Sequence, residues 1–152
     1  MDNVAKVKHK IIELNKEDYS STIFYIINDA AAKYKGVIPD DCWHEPYMPK
    51  HELENEFDNG VRMFGYLLND ELIGVIGFQE IKDVVLIRHA YTLTSCQGKG
   101  TGSTLLKYLF KKNQNYRLLV GTWRDATWAI RFYEKFNFIL HTRERSTLLL
   151  KK

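Results

Sequence analysis

Gly98, Gly100 and Gly102 fall within one short stretch, Gln97-Gly98-Lys99-Gly100-Thr101-Gly102. The run before it, Val84 to Leu93, is rich enough in β-branched and aromatic residues to be a strand. In the run after it, Leu105, Leu106, Leu109 and Phe110 recur at helical spacing, with Lys107, Lys111 and Lys112 outside that stripe. A glycine-rich turn therefore joins a strand to the start of a helix. Unpaired backbone N–H groups and the positive end of the helix dipole meet there, and an anion is the natural guest. Glycine lets the backbone approach a phosphate with no Cβ in the way.

Two common phosphate loops do not fit. The dinucleotide fingerprint wants Gly or Ala where Ser103 stands, and an acid where Leu118 stands. The P-loop wants Ser or Thr after Gly-Lys, but Gly98-Lys99 is followed by Gly100. The pattern that does fit is Gln-x-x-Gly-x-Gly.

The rest of the chain gives this turn its setting. Residues 4–14 read as a first strand. Residues 17–34 read as a helix, with Glu17 and Asp18 at its start and Ile23, Ile26, Ile27, Ala30, Ala31 and Tyr34 on one face. Gly36 to Lys50 holds all three prolines, together with Trp43, His44, Glu45, Tyr47 and Met48, and reads as an irregular loop of the kind that lines sites. A short helix over 51–58 follows. Strands over 61–68 and 72–80 form a hairpin across Asn69-Asp70-Glu71. A turn at Lys82-Asp83 leads to the strand before the glycine turn. After the turn's helix comes a strand over 116–122, and a crossover of this length implies parallel pairing between those two strands. Asp125 is expected to cap a helix through Phe136 that ends at Asn137. Residues 138–140 and 146–150 read as closing strands.

The loop, the element order and one more segment carry a resemblance. Ala129-Ile130-Arg131-Phe132-Tyr133-Glu134-Lys135-Phe136-Asn137-Phe138 is similar to the late helix of the GNAT superfamily of N-acetyltransferases, and Gln97-x-x-Gly100-x-Gly102 resembles that family's acyl-CoA pyrophosphate loop. The resemblance covers nearly the whole chain. It departs from the family where Ala126 replaces a frequent Asn, Thr94 a usual Pro, Cys96 an aromatic, and Asn137 a Gly. It implies a mixed α/β fold in one domain, residues 1–152. The sheet would be mostly antiparallel and twisted, of six to seven strands flanked by about four helices. Its one parallel pair would splay at the acyl-CoA site.

The resemblance further implies acetyl-CoA as acyl donor, an amine acceptor and no metal. The amides of Gly98, Lys99, Gly100, Thr101, Gly102 and Ser103 would hold the pyrophosphate, with side-chain help from Gln97 and Lys99. Backbone near Tyr91, Thr92 and Leu93 would pair with the pantetheine arm and polarise the thioester. Tyr133 would protonate the leaving thiolate, because a phenol of pKa about 10 can donate to it. The family's base positions are Leu86 and Arg88 here, and neither is a base at neutral pH. His89 and Glu80 are the nearby candidates, although strand alternation turns His89 away from the face that carries Arg88. His44, Glu45 and His51 could reach in from the loop region, and a water relay to Glu80 or Glu45 is a further route. Trp43, His44, Glu45, Tyr47 and Arg88 are candidate acceptor contacts, Arg88 for an acidic group. Cys96 sits where a helix start lowers a thiol pKa, but it has no partner residue, and direct transfer needs no covalent intermediate.

Bulk properties agree with a globular domain. The chain has 152 residues, 45% apolar and 27% charged, with a net charge of +3. That balance suits an anionic ligand and is too small to argue for nucleic acid. Cys42 and Cys96 suggest no pair, which fits a reducing cytosol. No run reaches membrane-spanning length, and the N-terminus has no apolar signal core. Homodimerisation stays open. Two other readings remain, a non-catalytic acyl-CoA-binding module and an acetyltransferase directed at RNA.

Overall fold

The computed structural model describes residues 8–140 and 146–150. Its elements run β1 (His9–Leu14), α1 (Lys16–Ala31), α2 (Lys50–Asp58), β2 (Arg62–Leu68), β3 (Glu71–Ile81), β4 (Val84–Thr92), α3 (Thr101–Lys112), β5 (Arg117–Thr122), α4 (Thr127–Glu134), β6 (Phe138–Leu140) and β7 (Ser146–Leu150). The strands form one seven-stranded sheet in the order β1-β2-β3-β4-β5-β7-β6. Only β4 and β5 pair in parallel; the other neighbours are antiparallel. The mixed α/β architecture and the parallel pair around α3 are those expected from the sequence. Among the described residues, no helix is long and apolar enough to cross a membrane, and no group of three His, Cys, Asp or Glu is placed to hold a metal ion.

Local chemistry explains the boundaries. Asn15 opens α1, its side-chain oxygen accepting from the Asp18 amide. The helix tightens into a 3-10 turn at Ala32–Tyr34 before Gly36, so the α-helix is shorter than its apolar stripe. The β2–β3 turn places Asn69 and Asp70 at φ 50° and 68°, the left-handed pair a two-residue hairpin needs. Asp125 does not cap α4. Ala126 holds the cap position with no side-chain bond, and its amide bonds the Trp123 carbonyl instead. Asn137, at φ 71°, takes the left-handed turn after α4.

Helices cover both sheet faces. α3 lays Leu105, Leu106 and Leu109 on Ile76, Phe78, Val85, Ile87, Leu118 and Val120. Those three leucines are at most 1% exposed, and each such burial stabilises by about 1.5–3 kcal/mol. On the other face, Ile23, Ile26 and Ile27 of α1 and Leu53 of α2 pack on Leu14, Met63, Leu67 and Val75.

Two irregularities open this core. The β4–β5 register stops at Ile87 opposite Val120, although both strands continue to Thr92 and Thr122. Beyond Ile87 the strands diverge, and one edge of β4 is left without a strand partner. The β3–β4 register also jumps, from Gly77–His89 to Phe78–Ile87, so Arg88 is an extra, unpaired residue. Val85 and Ile87 face α3 before this bulge; after it, Tyr91 packs on the α1–α2 side.

Candidate active site

The glycine turn ends β4 and starts α3. Gly98 and Gly100 adopt φ 81° and 84°, a left-handed conformation that strains any residue with a Cβ. Gly100 is the N-cap of α3 and offers no side-chain cap. Among the described residues, the amides of 98–103 donate to no protein acceptor; the first committed amide is that of Thr104, to the Gly100 carbonyl. The row of free N–H groups lies at the dipole's positive end, and Gly98, Gly100, Thr101, Gly102 and Ser103 line a cavity of about 200 Å³. Gln97 lines the same cavity. Its Nε2 donates to the Thr92 carbonyl at 3.1 Å, so its side chain braces the turn to β4. Lys99 is exposed and outside the lining of this cavity.

A larger cavity of about 540 Å³ follows the splay. β4 contributes Ile87 to Thr92, β5 Val120 to Thr122, α4 Trp128, Phe132 and Tyr133, and the 3-10 turn after α1 contributes Tyr34. Gln97, Gly102 and Phe132 connect it to the glycine turn, while His89, Tyr91 and Tyr34 reach the α1–α2 side. The amide of Leu93 donates to the Ile73 carbonyl at 2.9 Å, which removes it from the expected thioester contacts. Antiparallel alternation then directs the Tyr91 amide to β3 and leaves the amides of Ala90 and Thr92 on the free edge.

Tyr133 is 5% exposed and lines this cavity. Its hydroxyl makes no hydrogen bond among the described residues. Burial, with the nearby Tyr34 as a smaller cause, pushes its pKa far above that of a free phenol, so it is protonated at neutral pH. Phe132 and Phe138 stand edge-on to its ring, 5.2 and 5.4 Å away. Three further phenols lie near it. The phenols of Tyr34, Tyr47 and Tyr91 stand close enough to affect one another, and burial raises all three, Tyr34 to about 12.

The two base candidates separate. His89 is 6% exposed, lines the cavity, and places Nε2 2.6 Å from Glu56 Oε2 on α2. Glu80 lies at the opposite end of the β3–β4 pair, opposite Val85, bonded to the Tyr116 hydroxyl and outside the cleft. That distance along the strand removes it from the site. The alternation argument against His89 is also corrected. The bulge at Arg88 resets the strand's phase, and both side chains reach toward α2: His89 to Glu56, and Arg88 through Gln79, which donates to the Asn59 carbonyl.

The proline loop stands beside the cavity. Tyr47 packs on Tyr34, with Trp43 and His44 stacked on it, and accepts from Trp123 Nε1. Trp43, His44, Glu45 and Tyr47 do not line the cavity themselves; His44 bonds the Pro46 carbonyl, and Glu45 is exposed. Glu56 and Tyr34 were not singled out as site residues by sequence. The signal for Glu56 was an acid three residues after Leu53, on the inward side of α2.

Comparison with known proteins agrees with this fold. No curated protein sequence matches the chain. A solved PaiA N-acetyltransferase from Thermoplasma acidophilum, in complex with coenzyme A, superposes with a TM-score of 0.77 at 21% identity, covering 95% of this chain and 99% of that one. The ribosomal-protein-S18-alanine N-acetyltransferase of Escherichia coli gives 0.74 at 17% identity, covering 93% and 91%. A GNAT-family acetyltransferase from Staphylococcus aureus Mu50 gives 0.74 at 15%, covering 94% and 98%. The sequence model of the acetyltransferase (GNAT) family matches residues 16–138, and the chain belongs to that family.

Proposed function

We propose that this protein moves an acetyl group from acetyl-CoA directly to a primary amine of a small molecule or peptide. The observation that carries the reading is the row of free amides at 98–103, opening into a cavity that continues through the splay to the far side of the sheet. Coenzyme A in the Thermoplasma relative supports the same donor here.

The chain's own groups divide the work. The turn amides and the α3 dipole hold the diphosphate. The free edge of β4 pairs with the extended pantetheine arm, and an amide at Ala90 or Thr92 faces the thioester oxygen. Tyr133, neutral and unbonded, gives its proton to the departing sulfur. His89, on the α1–α2 side, accepts the proton of the amine. Tyr34 and Trp128 form the acceptor's aromatic wall, with Tyr47 packed on Tyr34, and Arg88 stands ready for an acidic group on the acceptor.

Thermal unfolding with acetyl-CoA, NAD and ATP, followed by thiol release with a panel of primary amines, tests this. Acetyl-CoA at about a hundred times its Kd should add roughly 2.7 kcal/mol of stability, and NAD and ATP far less. No shift with acetyl-CoA, or a shift with no thiol release from any amine, overturns the reading.

A further inference from the structure

Residues 94–103 are lightly held. They leave β4, pass through the 3-10 turn Thr94–Cys96 and the glycine turn, and enter α3. The Cys96 amide donates to the Leu93 carbonyl at 2.8 Å, and Gln97 reaches back to Thr92. Among the described residues, the hydrogen bonds of this segment to an element it does not join all go to one side chain, Asp29 in the last turn of α1. The Thr94 amide donates to Asp29 Oδ2 at 2.8 Å, and the Thr94 hydroxyl lies 3.2 Å from both carboxylate oxygens. Bonds to an ionised acceptor are stronger than neutral ones.

The place of this carboxylate needs a reason, because an acid beside a site for an anion repels the anion. What it supplies is a fixed conformation at the head of the donor turn. Leu93 is extended, with φ −47° and ψ 136°, and Thr94 opens a 3-10 turn, where φ is about −50 to −70°. A proline at 94 would hold this geometry by itself, since its ring sets φ at about −65° and keeps the residue before it extended. Threonine carries no such constraint. Its two donors, both gripped by Asp29, do the same work through α1.

We propose that Asp29 is a positioning residue for the donor: it clamps Thr94 to α1 so that the free amides of 98–103 stand in place for the diphosphate of the acyl-CoA. This rests on the acetyltransferase reading above. Asp29 itself touches no substrate. Without the clamp the segment keeps only its local bonds, its amides spread over more conformations, and the donor must order them on binding.

Calorimetry of acetyl-CoA binding to wild type, Asp29→Ala, Thr94→Pro and the double variant tests this, with the Tm of each measured first. Asp29→Ala should raise Kd on the order of 10-fold, although it removes a negative charge beside the donor turn. A carboxylate that merely stood in the donor's field would give the opposite sign, a tighter complex, when removed. Proline at 94 has no amide to donate but fixes φ, so Thr94→Pro and the double variant should both lie within about 3-fold of wild type. Should Asp29→Ala not fold, Asp29→Asn takes its place; it keeps one oxygen for the Thr94 amide, so the rise in Kd is smaller. An unchanged or lower Kd on replacing Asp29, or a double variant as weak as the Asp29 variant alone, overturns the proposal and leaves the acetyltransferase reading standing. If wild type itself binds no acetyl-CoA, that reading falls and this proposal with it.

Discussion

Trp123 Nε1 donates to the Tyr47 phenol oxygen at 2.8 Å, and the Tyr47 phenol lies near that of Tyr91. Tyr91 lies on β4, and Trp123 directly follows β5. One side chain from the proline loop is thus tied to the end of β5 and stands near β4, beyond the point where the two strands stop pairing with each other.

Tyr47→Phe keeps the ring and removes the oxygen that accepts from Trp123, a hydrogen bond with a net value of about 0.5–1.5 kcal/mol. The expected outcome is a modest fall in Tm, a several-fold rise in KM for the amine, and an unchanged Kd for acetyl-CoA. Steady-state kinetics with calorimetry of donor binding check this. An amine KM equal to wild type would detach the loop from the acceptor site.

Tyr133→Phe isolates a proton. The hydroxyl makes no hydrogen bond among the described residues, so its loss should leave Tm close to wild type. The ring contacts with Phe132 and Phe138 survive in Phe. Turnover should fall about 10²- to 10⁴-fold with donor affinity retained, as expected for a lost general acid. Undiminished turnover would take Tyr133 out of the mechanism.

Much of the donor half of the site was legible in the sequence. The Gln97 to Gly102 turn, the α3 stripe and the parallel crossover all leave periodic or glycine signatures, and the structure has them where they were read. The acceptor half was not, because its determinants leave no such mark. A bulge is one residue out of phase, so strict alternation sends His89 to the wrong side of Arg88. Glu56 is distant in sequence from His89 and meets it only through the packing of α2. The Leu93 amide is spent on Ile73, a fact of sheet register that composition cannot carry. Glu80 looked near His89 in sequence, but the antiparallel pairing of β3 and β4 sets it opposite Val85, well below the splay.

Gly100→Ala separates backbone strain from crowding. No protein atom lies within 4 Å of an ideal Cβ there, but φ is +84°. The substitution should therefore destabilise by about 1–2 kcal/mol through conformation alone. The new methyl would also stand among the amides proposed to hold the diphosphate. A small fall in Tm together with loss of the acetyl-CoA thermal shift is expected. Retention of the full shift would move the diphosphate away from this turn.

The buried phenols make an alkaline limit to stability. Burial raises Tyr34 to about 12 and also raises Tyr47, Tyr91 and Tyr133 above the ordinary value of 10. In the unfolded chain these groups lose their protons near pH 10; in the folded protein they keep them. Between those values the folded state binds more protons than the unfolded one, so stability falls as pH rises. The contribution of Tyr34 is complete below pH 10 and gone above about 12. Tm followed by circular dichroism should be flat through neutral pH and drop steeply from about pH 10. Tyr34→Phe removes one of the titrating groups, so its Tm should fall less steeply over that interval. Parallel slopes in the two proteins would mean that the Tyr34 hydroxyl titrates alike in the folded and unfolded chains, against its enclosure beside Tyr91 and Tyr47.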